Sequence, residues 1–412
     1  MTGATGLLGS YLLRDLVLNG ESVAVLVRRS RKQSPRSRIE SMVSRWEADV
    51  GRVLRRPTVF EGDITLPRCG LDDDAIGWIR LNCDTLLNNA ASLTFDGQAP
   101  EQEPWRSNVN GIRNLLDVAD RAAVGHLHHV STAYVCGLQS GVIPEDAIGE
   151  PLAFANDYER SKALGERVIR DAKHLESSTI YRPSIIVGDS GTGFTSTYHG
   201  FFAALRLAHT LVRCVPLGAT SSESLLEFLG IRPHWHKNFV PVDWVAQTIA
   251  TLLRHHGARG RTFHLTHPEP VPMSLVGSVI QEAVERFSET ASGNDPQGRN
   301  ESWFATNFRS ELDIYTKYFR DDPVFDRSNV LSMINVDDVP LIDRSSLLRM
   351  SEYAIRNGFR SVPSRMAATR PCGGAAARVP AGRDPDKGDL PERGWTEDAE
   401  KSGNAANRRA FR

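Results

Sequence analysis

Short apolar runs alternate with segments of helical period over the first two thirds of the chain. Runs rich in Val, Ile and Leu that alternate with amphipathic helices are typical of a parallel sheet covered by helices. The predicted strands are residues 23–27, 59–60, 85–87, 127–131, 179–181 and 262–265. The pattern therefore predicts a doubly wound α/β fold, of Rossmann type, over residues 1–266.

Two stretches break this alternation, and we predict that both lie on the substrate side. Residues 189–238 are predicted to be an insertion in the α/β domain, and residues 267–360 a mostly helical C-terminal part that caps the substrate site. Residues 361–412 are rich in Gly, Ala, Pro, Asp and Arg, with few side chains that could pack. Such a composition predicts a disordered tail.

One apolar helix face is predicted within the C-terminal part. Its residues recur at helical spacing: Phe304, Phe308, Leu312, Tyr315 and Phe319. Core packing is the ordinary interpretation of such a face. The alternative hypothesis is a lid over a groove that holds an apolar substrate.

Composition and charge narrow the possible partners. The chain has 412 residues, a formal net charge of −1 and five scattered cysteines. A near-neutral chain is not drawn to nucleic acid or to an anionic membrane surface. Unpaired cysteine spacing is typical of a reducing compartment, and no apolar run approaches 20 residues. We therefore expect a cytoplasmic protein without a transmembrane segment that binds small molecules.

A glycine-rich turn begins the chain. Gly3, Gly6 and Gly9 have the spacing G-x-x-G-x-x-G and stand directly before a predicted helix at 10–18. Glycines let the backbone approach a pyrophosphate, and free N–H groups at a helix N-terminus attract it. Such a turn normally follows a buried strand, but only Met1 and Thr2 precede it here. Our hypothesis is that the true start of the protein lies upstream. The alternative interpretation of the glycine motif is a plain turn that binds no ligand.

Residues at the ends of later strands suit a dinucleotide. Arg28 and Arg29 follow the predicted strand 23–27, where an NAD site usually carries an acidic residue. Two guanidinium groups there favour the 2′-phosphate of NADPH, although a solvated strand end has the same composition. Asp63 is a candidate acceptor for the adenine amine or a simple turn residue. The small residues of the segment Asn89-Ala90-Ala91 would let the cofactor lie against backbone.

A tyrosine and a lysine have the spacing of an acid–base pair. Tyr158 and Lys162 are four residues apart, so on a helix they share one face. A nearby ammonium favours the phenolate form of a tyrosine. Upstream, Ser131 and Thr132 close a predicted strand with hydroxyls that can donate to a carbonyl oxygen. Together with the glycine turn, this order predicts an oxidoreductase.

Several longer motifs make a family resemblance plain. They are T-G-A-T-G-L-L-G-S from Thr2, N-V-N-G-I-R-N-L-L from Asn108, H-V-S-T-A-Y-V from His129, D-Y-E-R-S-K from Asp157, Y-R-P-S-I-I-V-G-D from Tyr181 and N-F-V-P-V-D-W-V-A from Asn238. The chain resembles the extended short-chain dehydrogenase/reductase superfamily, within the branch of fatty acyl-CoA reductases, male-sterility proteins and thioester reductase domains.

The resemblance assigns roles to individual residues. It implies that Thr132 orients the substrate carbonyl, Tyr158 donates the proton, Lys162 activates Tyr158 and binds the nicotinamide ribose, and Asn108 supports the lysine through water. Ser131 leaves the identity of the active hydroxyl open. The resemblance also implies a cofactor-binding set of Gly3, Thr5, Gly6, Leu7, Leu8, Gly9, Arg28, Arg29, Asp63, Ile64, Asn89, Ala90, Ala91, Tyr158, Lys162, Pro183 and Ser184.

The implied reaction is reduction of an acyl thioester by NADPH to an aldehyde or alcohol. The substrate would be a fatty acyl-CoA or an acyl chain on an acyl carrier protein. Sugar-nucleotide epimerases or dehydratases and hydroxysteroid dehydrogenases of the same superfamily are the enzymatic alternatives, and a dinucleotide sensor without turnover is the non-enzymatic one. No metal is expected, because the histidines have no matching carboxylate or cysteine cluster. These histidines are His126, His128, His129, His234 and His236.

Overall fold

The computed structural model describes residues 1–97, 99–147, 149, 153–214, 231–288, 320–334 and 339–360. All the described residues belong to one compact unit, and residues 369–412 lie outside the described residues. The predicted tail, the apolar face from Phe304 to Phe319 and part of the predicted insertion also lie outside the described residues.

Parallel strands and helices alternate along the described chain. The strands are β1 Ala24–Val27, β2 Thr58–Glu61, β3 Thr85–Asn88, β4 His126–Val130, β5 Val142–Ile143, β6 Ser177–Pro183, β7 Ile185–Val187, β8 His236–Lys237, β9 Phe239–Pro241, β10 Thr262–Leu265, β11 Val271–Pro272 and β12 Val324–Phe325. The helices are α1 Leu7–Leu18, α2 Pro35–Val50, α3 Asp73–Asn82, α4 Gly111–Arg121, α5 Asp157–Arg170, α6 Phe201–Cys214, α7 Val242–Arg254, α8 Met273–Phe287, α9 Ser328–Met333 and α10 Arg344–Arg356.

The central sheet has two parts. Strands β10, β6, β4 and β3 form a four-stranded parallel sheet in that order, and β1 pairs with β2 in parallel. Met1 and Thr2 connect the parts, because the Leu26 N–H donates to the Met1 carbonyl oxygen at 3.0 Å and the Thr2 N–H donates to the Leu87 carbonyl oxygen at 2.9 Å. The predicted Rossmann fold is confirmed. Met1 and Thr2 occupy the place of the first strand in this fold. The hypothesis that the true start lies upstream stays a prediction.

Helices cover the sheet because each has one apolar face. Helix α4 buries Ile112, Leu115 and Leu116 against the sheet, and helix α1 lies against helix α7 on the other side. Burial of one such aliphatic side chain contributes about 1.5–3 kcal/mol, so these faces hold the layers together. The strand ends that follow β3, β4 and β6 are thereby fixed at one edge of the sheet.

The predicted C-terminal part shares a core with the α/β domain. One apolar cluster combines residues of helices α6, α8 and α10 with the segment that follows β4. Asp322 ties the chain before β12 to this segment, since Tyr134 donates to its carboxylate at 2.8 Å and Lys237 at 2.6 Å. The predicted boundaries at 266 and 360 stay predictions. No helix of the described residues is long and apolar enough to cross a membrane.

Candidate active site

The glycine turn packs tightly against the end of β3. Gly3 has a φ of +68°, a left-handed conformation that favours glycine, and a Cβ there would lie 2.7 Å from the Ala90 nitrogen. A Cβ on Gly9 would lie 2.0 Å from the Gly3 carbonyl oxygen. The turn therefore needs both glycines, and it brings the first N–H groups of helix α1 to the carboxyl edge of the sheet, where parallel-sheet proteins bind ligands.

A cavity of about 490 Å³ opens above this turn. Most residues that the sequence predicted for the site line it: Gly3, Thr5, Gly6, Leu7, Leu8, Arg28, Ile64, Asn89, Ala90, Ala91, Thr132, Tyr158, Lys162, Pro183 and Ser184. The glycine cradle and the bare strand ends leave backbone open to a ligand. The cavity therefore fits a dinucleotide laid across the sheet edge.

Four predicted residues lie outside the wall of this cavity. Gly9 packs against Gly3, and Asn108 lies behind the wall. Arg29 points to strand β2, where its guanidinium donates to both oxygens of Glu61 at 2.7 and 3.1 Å. Asp63 caps a turn by accepting from the Thr65 N–H and hydroxyl, each at 2.9 Å. Its other carboxylate oxygen lies 3.8 Å from the Arg28 guanidinium, and the adenine contact stays a prediction.

Arg38 lines the cavity beside Arg28, although the sequence did not single it out. The residue lies in the first turn of α2, and its guanidinium donates to the Arg28 carbonyl oxygen at 3.0 Å. Burial and the Arg28 guanidinium lower the pKa of Arg38, which shows that two positive charges are held close together. Such a pair suits an anionic group at this end of the cavity.

Tyr158 and Thr132 line the same cavity. Thr132 stands two residues after the end of strand β4, and Tyr158 lies in the first turn of α5. Asn156 caps this helix by accepting from the Glu159 N–H at 2.9 Å. Burial and the Glu159 carboxylate raise the pKa of Tyr158, and a hydrogen bond with the Thr132 hydroxyl partly offsets this. The phenol is therefore protonated at neutral pH and can act as an acid.

Ser131 lines the same cavity as Tyr158 and Thr132. Its hydroxyl oxygen is buried without a hydrogen-bond partner, and it lies near the Glu166 carboxylate. Arg182 donates to both oxygens of Glu166 at 2.9 and 2.6 Å. Successive residues of an extended chain point to opposite faces. Which of the two hydroxyls is active stays a prediction.

Lys162 lies one turn after Tyr158 and is almost completely buried, with 1% exposure. Its amine donates to the Val130 carbonyl oxygen at 2.7 Å and lies 3.4 Å from Nε2 of His129. Burial lowers the pKa of Lys162 to about 8, and the Glu166 carboxylate opposes the shift. The amine therefore changes charge within reach of physiological pH.

Asn108 and Gly165 set the position of helix α5. The Asn108 amide donates to the Ser92 carbonyl oxygen at 3.0 Å and to the Ser161 hydroxyl at 2.9 Å, and it accepts from the Ser92 N–H at 2.8 Å. Gly165 brings the helix close to the Asn108 backbone, since a Cβ there would lie 2.7 Å from the Asn108 carbonyl oxygen. These contacts place Tyr158 and Lys162 at a fixed depth in the cavity.

The wall of the cavity also contains apolar side chains. They are Leu93, Phe95, Tyr134, Ile185 and Ile186, and Thr197 and His199 line the same cavity. Burial lowers the pKa of His199, so this imidazole is neutral at pH 7. Among the described residues, no group of three His, Cys, Asp or Glu side chains could hold a metal ion.

Fold and cavity together define an NAD(P)-binding protein of the extended short-chain dehydrogenase/reductase superfamily. Residues 1–249 match the family described as male sterility protein. This match covers more than half of the chain, and the chain therefore belongs to that family.

Relatives and solved structures agree with this assignment. The chain is 26% identical over 329 residues to the non-reducing polyketide synthase pkiA of Emericella nidulans, covering 75% of the chain and 12% of the relative. It is 28% identical over 285 residues to the nonribosomal peptide synthetase asaC of Aspergillus flavus, covering 66% and 26%. The chain thus spans only a fraction of the length of these relatives.

The structural matches show the same fold in enzymes of different activity. The terminal R domain of the myxalamid PKS-NRPS pathway matches with a TM-score of 0.64 and 24% identity, covering 88% of this chain and 91% of that domain. The UDP-Glc/GlcNAc 4-epimerase of Campylobacter jejuni matches with a TM-score of 0.54 and 16% identity, covering 87% and 98%. At these identities the likeness supports the fold and leaves the substrate open.

Proposed function

We propose that this protein reduces an acyl thioester with NADPH and releases an aldehyde. The observation that carries the proposal is that Tyr158 and Thr132 line one cavity together with the glycine turn and several apolar side chains. The relatives named as polyketide and peptide synthetases suggest that the acyl group is carried as a thioester on a pantetheine arm. A carrier protein and CoA both present such an arm.

Two features favour NADPH as a co-substrate. Arg28 and Arg38 place two guanidinium groups at the end of the cavity next to strand β1, where a 2′-phosphate would lie. Planar guanidinium groups bind phosphate oxygens through paired hydrogen bonds. The cofactor would supply the hydride that attacks the thioester carbonyl carbon.

Side chains of the protein would then stabilise the negative charge that develops on the thioester carbonyl oxygen. The Thr132 hydroxyl donates to the carbonyl oxygen and holds it near Tyr158. As the C=O π bond opens, the Tyr158 phenol transfers its proton to the oxygen and a hemithioacetal forms. Cleavage of the C–S bond, with loss of the hydroxyl proton, yields the aldehyde and the free thiol. The buried Lys162 compensates the charge left on the phenolate.

The apolar side chains in the cavity wall favour an acyl chain over a sugar nucleotide as the substrate. Leu93, Phe95 and Ile186 offer surface to a hydrocarbon, and the neutral His199 offers no positive charge. A nucleoside diphosphate needs cationic or N–H donors at its second phosphate. This observation ranks the thioester reductase above the epimerase, which remains the second candidate because the epimerase fold matches.

A substrate panel tests the proposal. The full chain is incubated with NADPH and an acyl-CoA or an acyl group on a carrier protein, and separately with NAD⁺ or NADP⁺ and a UDP-sugar. NADPH oxidation, free thiol and epimerised sugar are followed. We expect equal amounts of oxidised NADPH and thiol from at least one thioester and neither from the UDP-sugar. Tyr158→Phe should lower kcat by about 10²–10⁴-fold. Epimerised UDP-sugar without NADPH oxidation would contradict the proposal, and so would dinucleotide binding without turnover of any substrate.

A further inference from the structure

A chain of buried polar side chains connects the glycine turn to Lys162. Thr2 donates from its hydroxyl to Oδ1 of Asn88 at 2.6 Å, and Nδ2 of Asn88 lies 3.1 Å from Nδ1 of His129. On the other side of the imidazole, Nε2 lies 3.4 Å from Nζ of Lys162. The exposed fractions of these four residues are between 1% and 4%. Water therefore does not compete for these hydrogen bonds.

The direction of the hydrogen bonds is fixed at the Thr2 end. The Thr2 hydroxyl oxygen accepts from the Asn89 N–H at 3.2 Å and from the Ala90 N–H at 3.1 Å. A hydroxyl has two lone pairs and one hydrogen, so this hydrogen must go to an acceptor. The Asn88 amide must therefore present its oxygen to Thr2 and its nitrogen to His129.

This orientation determines which His129 nitrogen carries the proton. The amide nitrogen of Asn88 is a donor, so Nδ1 of His129 accepts and is unprotonated. Burial and Lys162 hold the pKa of His129 well below its ordinary range, so the ring is neutral and its hydrogen is on Nε2. Strand pairing supports the contact, because Asn88 and His129 are partners in the register of β3 and β4.

The Nε2–H group of His129 then points at the amine of Lys162. An uncharged amine has a lone pair that accepts this hydrogen while one of its own hydrogens goes to the Val130 carbonyl oxygen. An ammonium has only donors, so it would face the positive end of the N–H dipole. The other titratable groups near Lys162 are Glu166, one turn further along α5 and paired with Arg182, and Tyr158 one turn before.

We propose that His129 is a positioning residue, held as the Nε2–H tautomer by Thr2 and Asn88, which favours the uncharged amine of Lys162. The imidazole thereby sets the pH above which the enzyme loses the cation beside Tyr158. This inference rests on the proposed function only for the role of Lys162; the tautomer follows from the hydrogen bonds alone.

Spectroscopy tests the tautomer without turnover. Long-range ¹H–¹⁵N correlation spectra are recorded on the full chain with ¹⁵N-labelled histidine, and the His129 signals are assigned by their loss in His129→Gln. We expect a neutral ring protonated at Nε2 from pH 6 to 9. A ring protonated at Nδ1, or an imidazolium in this range, would overturn the proposal.

A pH profile tests the effect on Lys162. The profile of kcat/KM for NADPH reports ionisations of the free enzyme, and we expect it to fall above about pH 8 in the wild type. In His129→Gln the amide oxygen would accept from Asn88 and the amide nitrogen would still face Lys162, so the fall should stay at the wild-type pH. His129→Met has no N–H group to face the ammonium, so its fall should move up by about one pH unit.

His128→Met is the matched control, because His128 is equally buried on the same strand but contacts the Tyr181 hydroxyl at 2.8 Å. We expect its profile to fall at the wild-type pH. An unshifted profile in His129→Met, or an equal shift in His129→Met and His128→Met, would overturn the role of His129. Absence of turnover in the wild type would instead contradict the proposed reaction, and the spectra would still decide the tautomer.

Discussion

Cofactor preference offers a quantitative test, because three neighbouring arginines have different surroundings. Arg28 and Arg38 line the cavity, whereas Arg29 is bound to Glu61 on the neighbouring strand. We predict that Arg28→Ala and Arg38→Ala lower kcat/KM for NADPH and leave kcat/KM for NADH nearly unchanged. Arg29→Ala should change neither value by more than about twofold, because its guanidinium is bound to Glu61 outside the cavity wall and exposed ion pairs contribute little.

The expected sizes follow from exposure. A hydrogen bond to a charged group contributes about 1.5–3 kcal/mol. The side chain of Arg28 is 67% exposed, so solvent screens it and the lower figure applies, which corresponds to a loss of roughly tenfold. Arg38 is half-buried, and about 2 kcal/mol gives a loss of roughly 30-fold. The double variant should lose somewhat less than the product, because both groups would share one phosphate.

Initial rates with each cofactor at a fixed thioester concentration measure these effects. Thermal unfolding of the variants serves as a control for folding, and we expect similar midpoints because none of the three guanidinium groups is in the core. Equal losses with NADPH and NADH, or a larger loss in Arg29→Ala than in Arg38→Ala, would refute the assignment of the 2′-phosphate site.

Two further predictions concern the turn and a buried acid. Gly9→Ala should lower the midpoint of thermal unfolding and abolish NADPH binding, because its Cβ would lie 2.0 Å from the Gly3 carbonyl oxygen. Gly6→Ala is the control and should keep the midpoint, since its Cβ meets no atom closer than 3.5 Å. Equal midpoints in the two variants would contradict this prediction. Burial raises the pKa of Glu145 to about 7 from its ordinary 4.5. The folded protein then binds more protons than the unfolded chain between these values, so the free energy of unfolding should fall as pH rises through this window, by up to about 3 kcal/mol. Glu145→Gln should flatten this slope in urea titrations, while an unchanged slope would contradict the assignment.

The sequence predicted the fold well because the spacing of apolar residues shows which side chains are buried in each helix and strand. The strand Thr262–Leu265 has the predicted bounds, and the other predicted strands occur with ends shifted by a few residues. Strand ends depend on pairing with neighbours, and a single sequence does not contain that pairing. The strand before Thr132 was predicted from its apolar run, whereas the helix of Tyr158 was inferred from the four-residue spacing between Tyr158 and Lys162.

The missed features depend on which side chains face each other. The sequence treated Arg28 and Arg29 as equivalent, but adjacent residues at a strand end point to opposite sides, and only one reaches the cavity. Arg38 lies next to Arg28 because helix α2 packs beside the end of strand β1, and the sequence alone does not show this packing. The sequence assigned no role to His129. The register of β3 and β4 pairs His129 with Asn88, and a single sequence does not contain this register.

The close approach at Gly165 has a consequence for protein engineering. Replacing a helical glycine by alanine is a common route to greater heat tolerance, since alanine favours a helix by about 1 kcal/mol. In helix α5 the added methyl group would collide with the Asn108 carbonyl oxygen and displace the helix that carries Tyr158 and Lys162. A stability screen that measures heat resistance alone would therefore misjudge this position, and any library of thermostable variants should keep Gly165 unchanged.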